Sequence, residues 1–254
     1  MSLRFSDELT LKIFKPRFFF LLFLFQAVVY AKIHAQQGQE VEKQLWTMVL
    51  LNYGLNEKWS YNQDFGYQHS YETPTFTRFL VRSQFNRQVT GAFSLHGGLI
   101  LMYKFNEEDN NAYEIRPWMG TKLRWPHLWR FDFVHYLRFE QRFENTINVN
   151  DWENNFRVRY KIGSSVPLNH HSVIDNTLYA MISYEFYSES FGNDIRFTTA
   201  ATHRYDLGMG YRQNMKNRYE ALLVALNGRV EDTENYTLSS MALFLRYRRF
   251  INWD

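Results

Sequence analysis

The feature that most constrains this chain is an alternation of apolar and polar side chains that recurs, with period two, along most of its length. In residues 58–68, Trp59, Tyr61, Phe65 and Tyr67 fall on one face, and Ser60, Asn62, Asp64, Gly66 and Gln68 on the other. Residues 128–143 repeat this over a longer span. There Trp129, Phe131, Phe133, Leu137, Phe139 and Phe143 oppose Arg130, Asp132, Tyr136, Arg138, Glu140 and Arg142. Only a strand puts every second side chain on the same face; a helix would scatter both sets around its circumference. Similar segments lie near 45–55, 76–89, 92–105, 112–124, 152–163, 174–187, 197–212, 218–230 and 236–249. Most run to 11–16 residues, whereas strands of soluble sheets run to about 5–6. Tilted strands that cross a hydrocarbon layer need roughly 9–11.

Composition points the same way. Phe, Tyr and Trp make up 19% of the 254 residues, yet 22% are charged. A helical membrane protein needs several apolar runs of about 20 residues, and a soluble domain seldom carries this much aromatic area beside so much charge. A membrane barrel reconciles the two by turning aromatics to lipid and charges to the interior at alternate positions. The predicted fold is therefore all-β, an antiparallel up-and-down transmembrane β-barrel of ten to twelve strands. Eleven segments are visible, and twelve is preferred because bacterial single-chain barrels carry even numbers.

The connections alternate as well. Asn56-Glu57, Thr90-Gly91, Trp125 to His127 and Gln213 to Asn217 are tight, while His69 to Thr75, Asn106 to Asn111, Glu144 to Asp151 and Ser188 to Asp194 are longer and polar. Short periplasmic turns and longer outer loops give such a pattern. It leaves the first strand starting on the loop side, so either the count of segments is off by one or Val41 to Gln44 crosses the lumen or forms a short strand. Trp46, Trp59, Trp118, Trp125, Trp129 and Trp152, at strand ends, suit an interfacial aromatic girdle.

Residues 1–35 read as an address. Arg4, Lys12, Lys15 and Arg17 precede an apolar run from Phe18 to Val29, and Ile33-His34-Ala35 offers a cleavage site. A cleaved signal peptide over 1–35, a polar lead over 36–44 and a barrel over 45–254 follow. The signal holds Arg4, Lys12, Lys15, Arg17 and Lys32 against Asp7 and Glu8, which accounts for the whole chain's formal charge of +3. The mature chain is near neutral, and nucleic-acid binding loses its support. With no cysteine, Cys-ligated zinc is excluded.

Three stretches carry a resemblance to a known family. They are Glu114-Ile115-Arg116-Pro117-Trp118, Tyr136 through Phe143, and Phe156-Arg157-Val158-Arg159-Tyr160. With His203-Arg204-Tyr205-Asp206-Leu207-Gly208-Met209-Gly210-Tyr211, they resemble the domain-of-unknown-function 2490 family over roughly residues 45–250. The resemblance implies a bacterial outer-membrane barrel and brings no activity with it. The last strand continues to Asp254, unlike barrels that end on an aromatic residue.

On the polar faces of the central strands, where Lys122 is also an inward charge, Glu114, Arg116, Arg138, Glu140, Arg142, Arg157 and Arg159 predict a lumen charge ladder. Pairing through a turn near Pro126 brings Arg138 beside Glu114 and Arg116; pairing through a loop near Ile147 brings it beside Arg157. Carboxylates threaded between planar guanidiniums either fill a narrow barrel or form an anion-selective constriction. Matched pairs favour a plug and unpaired arginine favours transport.

Catalytic signals are weak. His135 falls on the lipid face with no serine or carboxylate beside it, so nothing there activates a nucleophile. His203 with Ser183 and Asn227 is the one possible triad. His96 and the His170-His171 pair lack a recognisable metal-ligand spacing, and no phosphate-cradling glycine loop is present. No cofactor or metal is expected. The expected partners are outer-membrane lipid and the barrel-assembly machinery, in the outer membrane of a Gram-negative bacterium. Three readings remain: a structural barrel or narrow passage for small polar solutes, a lipid-modifying acyl hydrolase of that membrane, and a secreted soluble barrel holding an apolar ligand. The last requires aromatics inside and charges outside.

Overall fold

A computed structural model describes residues 41–254 apart from 73–74, 108–109, 127–128, 148, 150, 192–201, 230–235 and 253–254. The expected signal peptide, and residues 36–40 of the expected lead, lie outside the described residues. The remainder is all-β. The strands are β1 (Glu42–Gly54), β2 (Trp59–Ser70), β3 (Phe76–Gln88), β4 (Phe93–Asn106), β5 (Ala112–Arg124), β6 (Asp132–Thr146), β7 (Asp151–Pro167), β8 (Thr177–Phe191), β9 (Thr202–Arg212), β10 (Asn217–Arg229) and β11 (Tyr236–Ile251). Each pairs antiparallel with its neighbours in the chain, and β1 closes the barrel against β11.

The count is eleven among the described residues, where twelve was expected, and one seam is parallel, from Glu42↔Ser240 to Tyr53↔Ile251. The two departures are one fact. In an up-and-down chain of odd count the first and last strands run the same way, so the closing pair has to be parallel. Val41 precedes β1, and Glu42 to Gln44 are its first residues, adding length to a strand already counted. The loop contrast is weaker than expected, because β2 continues to Ser70, β6 to Thr146 and β8 to Phe191. The β7–β8 connection at the turn end, residues 168–176, is itself long. Two of the tight turns share one device. Asn56 Oδ1 accepts from the backbone N–H of Lys58 and Trp59, at 3.0 and 2.9 Å. Asn214 Oδ1 accepts from Lys216 and Asn217, both at 2.9 Å, an Asx turn that fixes the hairpin.

Register sets the shape. Followed from Trp46 through β2, the pairing reaches β6 at Thr146; followed through β11, it reaches β6 at Asp132. A stagger this large on eleven strands inclines them at the upper end of the usual tilt, roughly 35–45°.

Alternation then sorts the side chains. Phe65 is 47% exposed and its neighbour Asp64 1%. Phe79, Phe85, Leu99, Leu101, Met119, Ile182 and Leu223 are exposed on the outer surface, while Glu114, Arg116, Arg138, Glu140, Glu185 and Asp206 are buried inside. Aromatic and aliphatic residues clothe the outside, and charges fill the inside. Trp59, Trp125, Trp129 and Trp152 are exposed, whereas Trp46 and Trp118 are buried in the interior, so these two leave the expected girdle. Trp118 shares its parity with Glu114 and Arg116, and that parity decides its face.

The interior is not uniform. Where β10, β11 and β1 meet, Leu222, Val224, Ala242, Phe244 and Trp46 form an apolar cluster, with the Trp46 and Phe244 rings edge to face at 5.5 Å. Backbones also approach closely at Gly98, where a Cβ would overlap the Ser83 carbonyl oxygen of β3. An inward glycine lets a small barrel bend there.

This contact makes adjacent glycines unequal. Gly98→Ala is expected to lower stability by about 1–3 kcal/mol through overpacking. Gly97→Ala, whose Cβ meets nothing nearer than Trp118 O at 3.7 Å, should stay within about 0.5 kcal/mol of the parent. Urea unfolding followed by tryptophan fluorescence compares them.

Candidate functional site

The lumen is the candidate site. Inward positions of β5 are Glu114, Arg116, Trp118 and Lys122; β6 adds Arg138, Glu140, Arg142 and Glu144; β7 adds Arg157, Arg159 and Lys161; β8 and β9 add Glu185, Glu189, Arg204 and Asp206. Together with the other walls they surround a cavity of about 730 Å³. It extends from Glu42, Gln44 and Ser240 near the loop end to Lys122 and Arg248 near the turn end.

Glu140 is the hub. Its carboxylate is 0% exposed and meets four guanidiniums: Arg116 at 3.3 Å, Arg159 at 3.2 Å, Arg157 at 3.7 Å, and Arg138 in the closest contact. A closed circuit of alternating charge passes through it. Arg116 reaches Glu114 at 2.7 Å, and Arg142 Nε reaches the same carboxylate oxygen at 2.7 Å, with Nη2 on its second oxygen at 3.2 Å. Arg142 also reaches Glu189 at 3.5 Å; Glu189 binds Arg157, and Arg157 returns to Glu140. A branch leaves through Arg159 to Glu185 at 2.9 Å. Beside it Asp206 takes Lys161 at 2.9 Å and Arg204 at 2.6 Å. Burying one carboxylate among several guanidiniums is tolerable because each fork supplies charge and directed N–H donors together.

The seven residues predicted as a ladder, Glu114, Arg116, Arg138, Glu140, Arg142, Arg157 and Arg159, therefore stand in one network. Their register differs from the expected one. Arg138 pairs across to Gly120 and Arg159, not to Glu114, Arg116 and Arg157. The β5–β6 connection is centred near Trp129, which has a positive φ of 57°, and not near Pro126. Glu185, Glu189, Lys161, Arg204 and Asp206 were missed. Glu189 was assigned to a loop, but β8 continues through it.

The histidine candidates separate. On β9, Asp206 is buried inside and His203 has the opposite parity, so His203 faces outward, with Nδ1 2.6 Å from the Tyr184 hydroxyl. Ser183 faces inward and donates to Asp206 at 2.9 Å. Ser183 pairs across to Asp206, while His203 pairs across to Phe186 and Asn227. Serine and imidazole lie on opposite sides of the barrel wall, and the Ser-His-Asn triad is not assembled. His135, also outward, has Nδ1 2.6 Å from the Tyr160 hydroxyl and its ring by Trp125. His96 points inward among Asn86, Ser94 and Gln84. Among the described residues no group of three or more His, Asp or Glu is arranged to hold a metal.

Lumen charge is unequal. Thirteen Lys and Arg line the cavity against six Asp and Glu, and Glu140, Asp206 and Glu220 lie buried in ion pairs with them. The matched pairs crowd the β5–β9 wall, and the surplus of positive charge remains for the cavity.

Removing the hub leaves buried guanidiniums without their shared anion. Glu140→Gln is expected to cost about 3–5 kcal/mol. Glu144→Gln, whose one ion pair among the described residues is with Arg142 at 3.2 Å from a 33% exposed side chain, should cost less than about 1 kcal/mol. Denaturant midpoints of the two variants test the ranking, and equal midpoints would remove Glu140 from the centre of the network.

Comparison with curated proteins finds no match to this chain. The model of the family described as "Protein of unknown function (DUF2490)" matches residues 43–237, a span that begins in β1, takes in every strand of the charge network and ends as β11 begins. The chain belongs to the DUF2490 family.

Proposed function

We propose that this chain is a β-barrel of a Gram-negative outer membrane, delivered by a cleaved signal peptide, and that its lumen is a narrow passage for small polar solutes. The observation that carries the reading is the sorting of faces. Phe65, Phe79, Phe85, Leu99, Leu101, Met119, Ile182 and Leu223 form an exposed apolar exterior around an interior of ion pairs. Soluble monomers rarely expose apolar surface on this scale, and lipid is the solvent in which it costs nothing. A 13-residue strand such as β5, at about 3.3 Å per residue and a tilt near 45°, rises roughly 30 Å. That is enough for the apolar band of about 25 Å typical of such barrels. Trp59, Trp125 and Trp129 at the turn end and Trp152 at the loop end fit the interfacial positions that tryptophan prefers.

A soluble barrel around an apolar ligand needs these faces reversed. A Ser-His hydrolase needs Ser183 and His203 on one side of the wall. The open cavity and its cationic surplus favour a passage over a purely structural plug.

The test is fractionation followed by cold-gel electrophoresis. The protein is expected in the outer-membrane fraction as a band that shifts on boiling, and in planar bilayers it should pass small ions with a reversal potential favouring anions. Recovery as a soluble periplasmic protein with no shift would sink the reading.

A further inference from the structure

Away from the Glu140 network, positive charge gathers at the turn end of the lumen. Lys122 lies two residues from the end of β5, and Arg248 three from the end of β11. Both line the cavity. On a barrel of eleven strands, β5 and β11 are five and six strands apart by the two routes, so these cations face each other across the lumen. Lys122 makes no ion pair among the described residues; its ammonium lies 5.7 Å from the Tyr136 ring centroid, and the charges that act on it most strongly are Arg248, Arg124, Arg82 and Lys161. All four are positive.

The carboxylates within reach are already shared. Glu220 holds Arg246 at 2.9 Å, reaches Arg248 only at 4.0 Å, and accepts the Tyr179 hydroxyl at 2.8 Å. Asp64 is taken by Arg82, whose Nε donates to it at 2.6 Å. Arg246 and Arg248 each keep a buried Nε–H with no acceptor among the described residues. Arg138 and Arg157 also keep an unpartnered Nε–H, but they lie against Glu140, whereas at this level free donors stand beside cations with no carboxylate to spare. A monatomic ion such as chloride satisfies one wall only, whereas an anion with several oxygens presents acceptors to both and one with more than one charge answers both cations; guanidinium forks suit such oxygens.

We propose that the turn end of the lumen, between Lys122 and Arg248, is a binding site for a small multivalent oxyanion of the phosphate kind. This deepens the passage reading and rests on it: the site is the station at which a phosphorylated solute is held on its way through. It uses none of the seven ladder residues, whose five guanidiniums are already met by Glu114 and Glu140 together with Glu144, Glu185 and Glu189.

The experiment is calorimetric titration of inorganic pyrophosphate into the full folded chain in detergent, at constant ionic strength set by sodium chloride. Saturable binding is expected, with Lys122→Gln and Arg248→Gln each weakening it about tenfold, the worth of one charge-assisted contact. Glu220→Gln releases Arg246 and Arg248 from their shared carboxylate and should tighten binding. Arg87→Gln, on the outer face against Trp59, should leave it unchanged. The boiling shift is recorded on every sample. A sample that shifts on boiling but takes up no pyrophosphate overturns the site and leaves the barrel standing. Binding indifferent to Lys122, Arg248 and Glu220 also overturns it. Pyrophosphate binding by a protein recovered soluble, with no boiling shift, would overturn the passage reading and keep the site.

Discussion

A carboxylate removed from water loses several kcal/mol of hydration, and it stays ionised in a protein only where other charges and donors replace that water. Glu140 is in this position, with no exposure and four guanidiniums around it. Those guanidiniums come from β5, β6 and β7, so one side chain fixes the mutual register of three strands. A slip of one residue on any of them would turn its arginines outward and leave Glu140 buried with too few partners. The circuit through Glu114 and Glu189 carries the same constraint on to β8. The charge network thereby does the work that an apolar core does in a water-soluble sheet, and it specifies register by geometry as well as by burial.

The opposite wall is built on another principle. At the meeting of β10, β11 and β1 the interior turns apolar, with Trp46 and Phe244 at its centre. Parallel pairing is slightly weaker per residue than antiparallel, and the parallel seam lies here. Packed rings and aliphatic chains reinforce the ladder where its hydrogen bonds are least favourable. Arg204 links the two halves: it binds Asp206 at 2.6 Å and lies 5.1 Å from the Trp46 ring and 5.9 Å from that of Phe244.

Much of this architecture was legible in the sequence, and the failures have physical causes. Period two located all eleven strands, and β5 was bounded correctly at 112–124, because Glu114, Arg116 and Lys122 keep one parity and Ile115, Met119 and Leu123 the other. Strand number failed because a rule about parity was allowed to outweigh the eleven segments in view. Facing failed at Trp46 and Trp118 because tryptophan was read by type, though Trp118 stands in step with Glu114 and Arg116. Cross-strand register failed by several residues at Arg138, since it depends on where a connection is centred, and no residue pattern announced the turn at Trp129. Lys122 was legible as an inward cation. Its confrontation with Arg248 was not, because the two are remote in sequence and meet only when the sheet closes.

Odd parity bears on how such a barrel comes into being. Antiparallel neighbours zip up one hairpin at a time, each new strand finding its partner a short distance back along the chain. The β1–β11 seam has no hairpin to nucleate it. Its partners, Glu42 and Ser240 at one end and Tyr53 and Ile251 at the other, are separated by nearly the whole barrel, and closing so long a loop carries an entropic cost before any contact repays it. Until that last step the growing sheet has two raw edges and an unfinished lumen. The seam is thus the natural final event of folding and the natural first point of rupture.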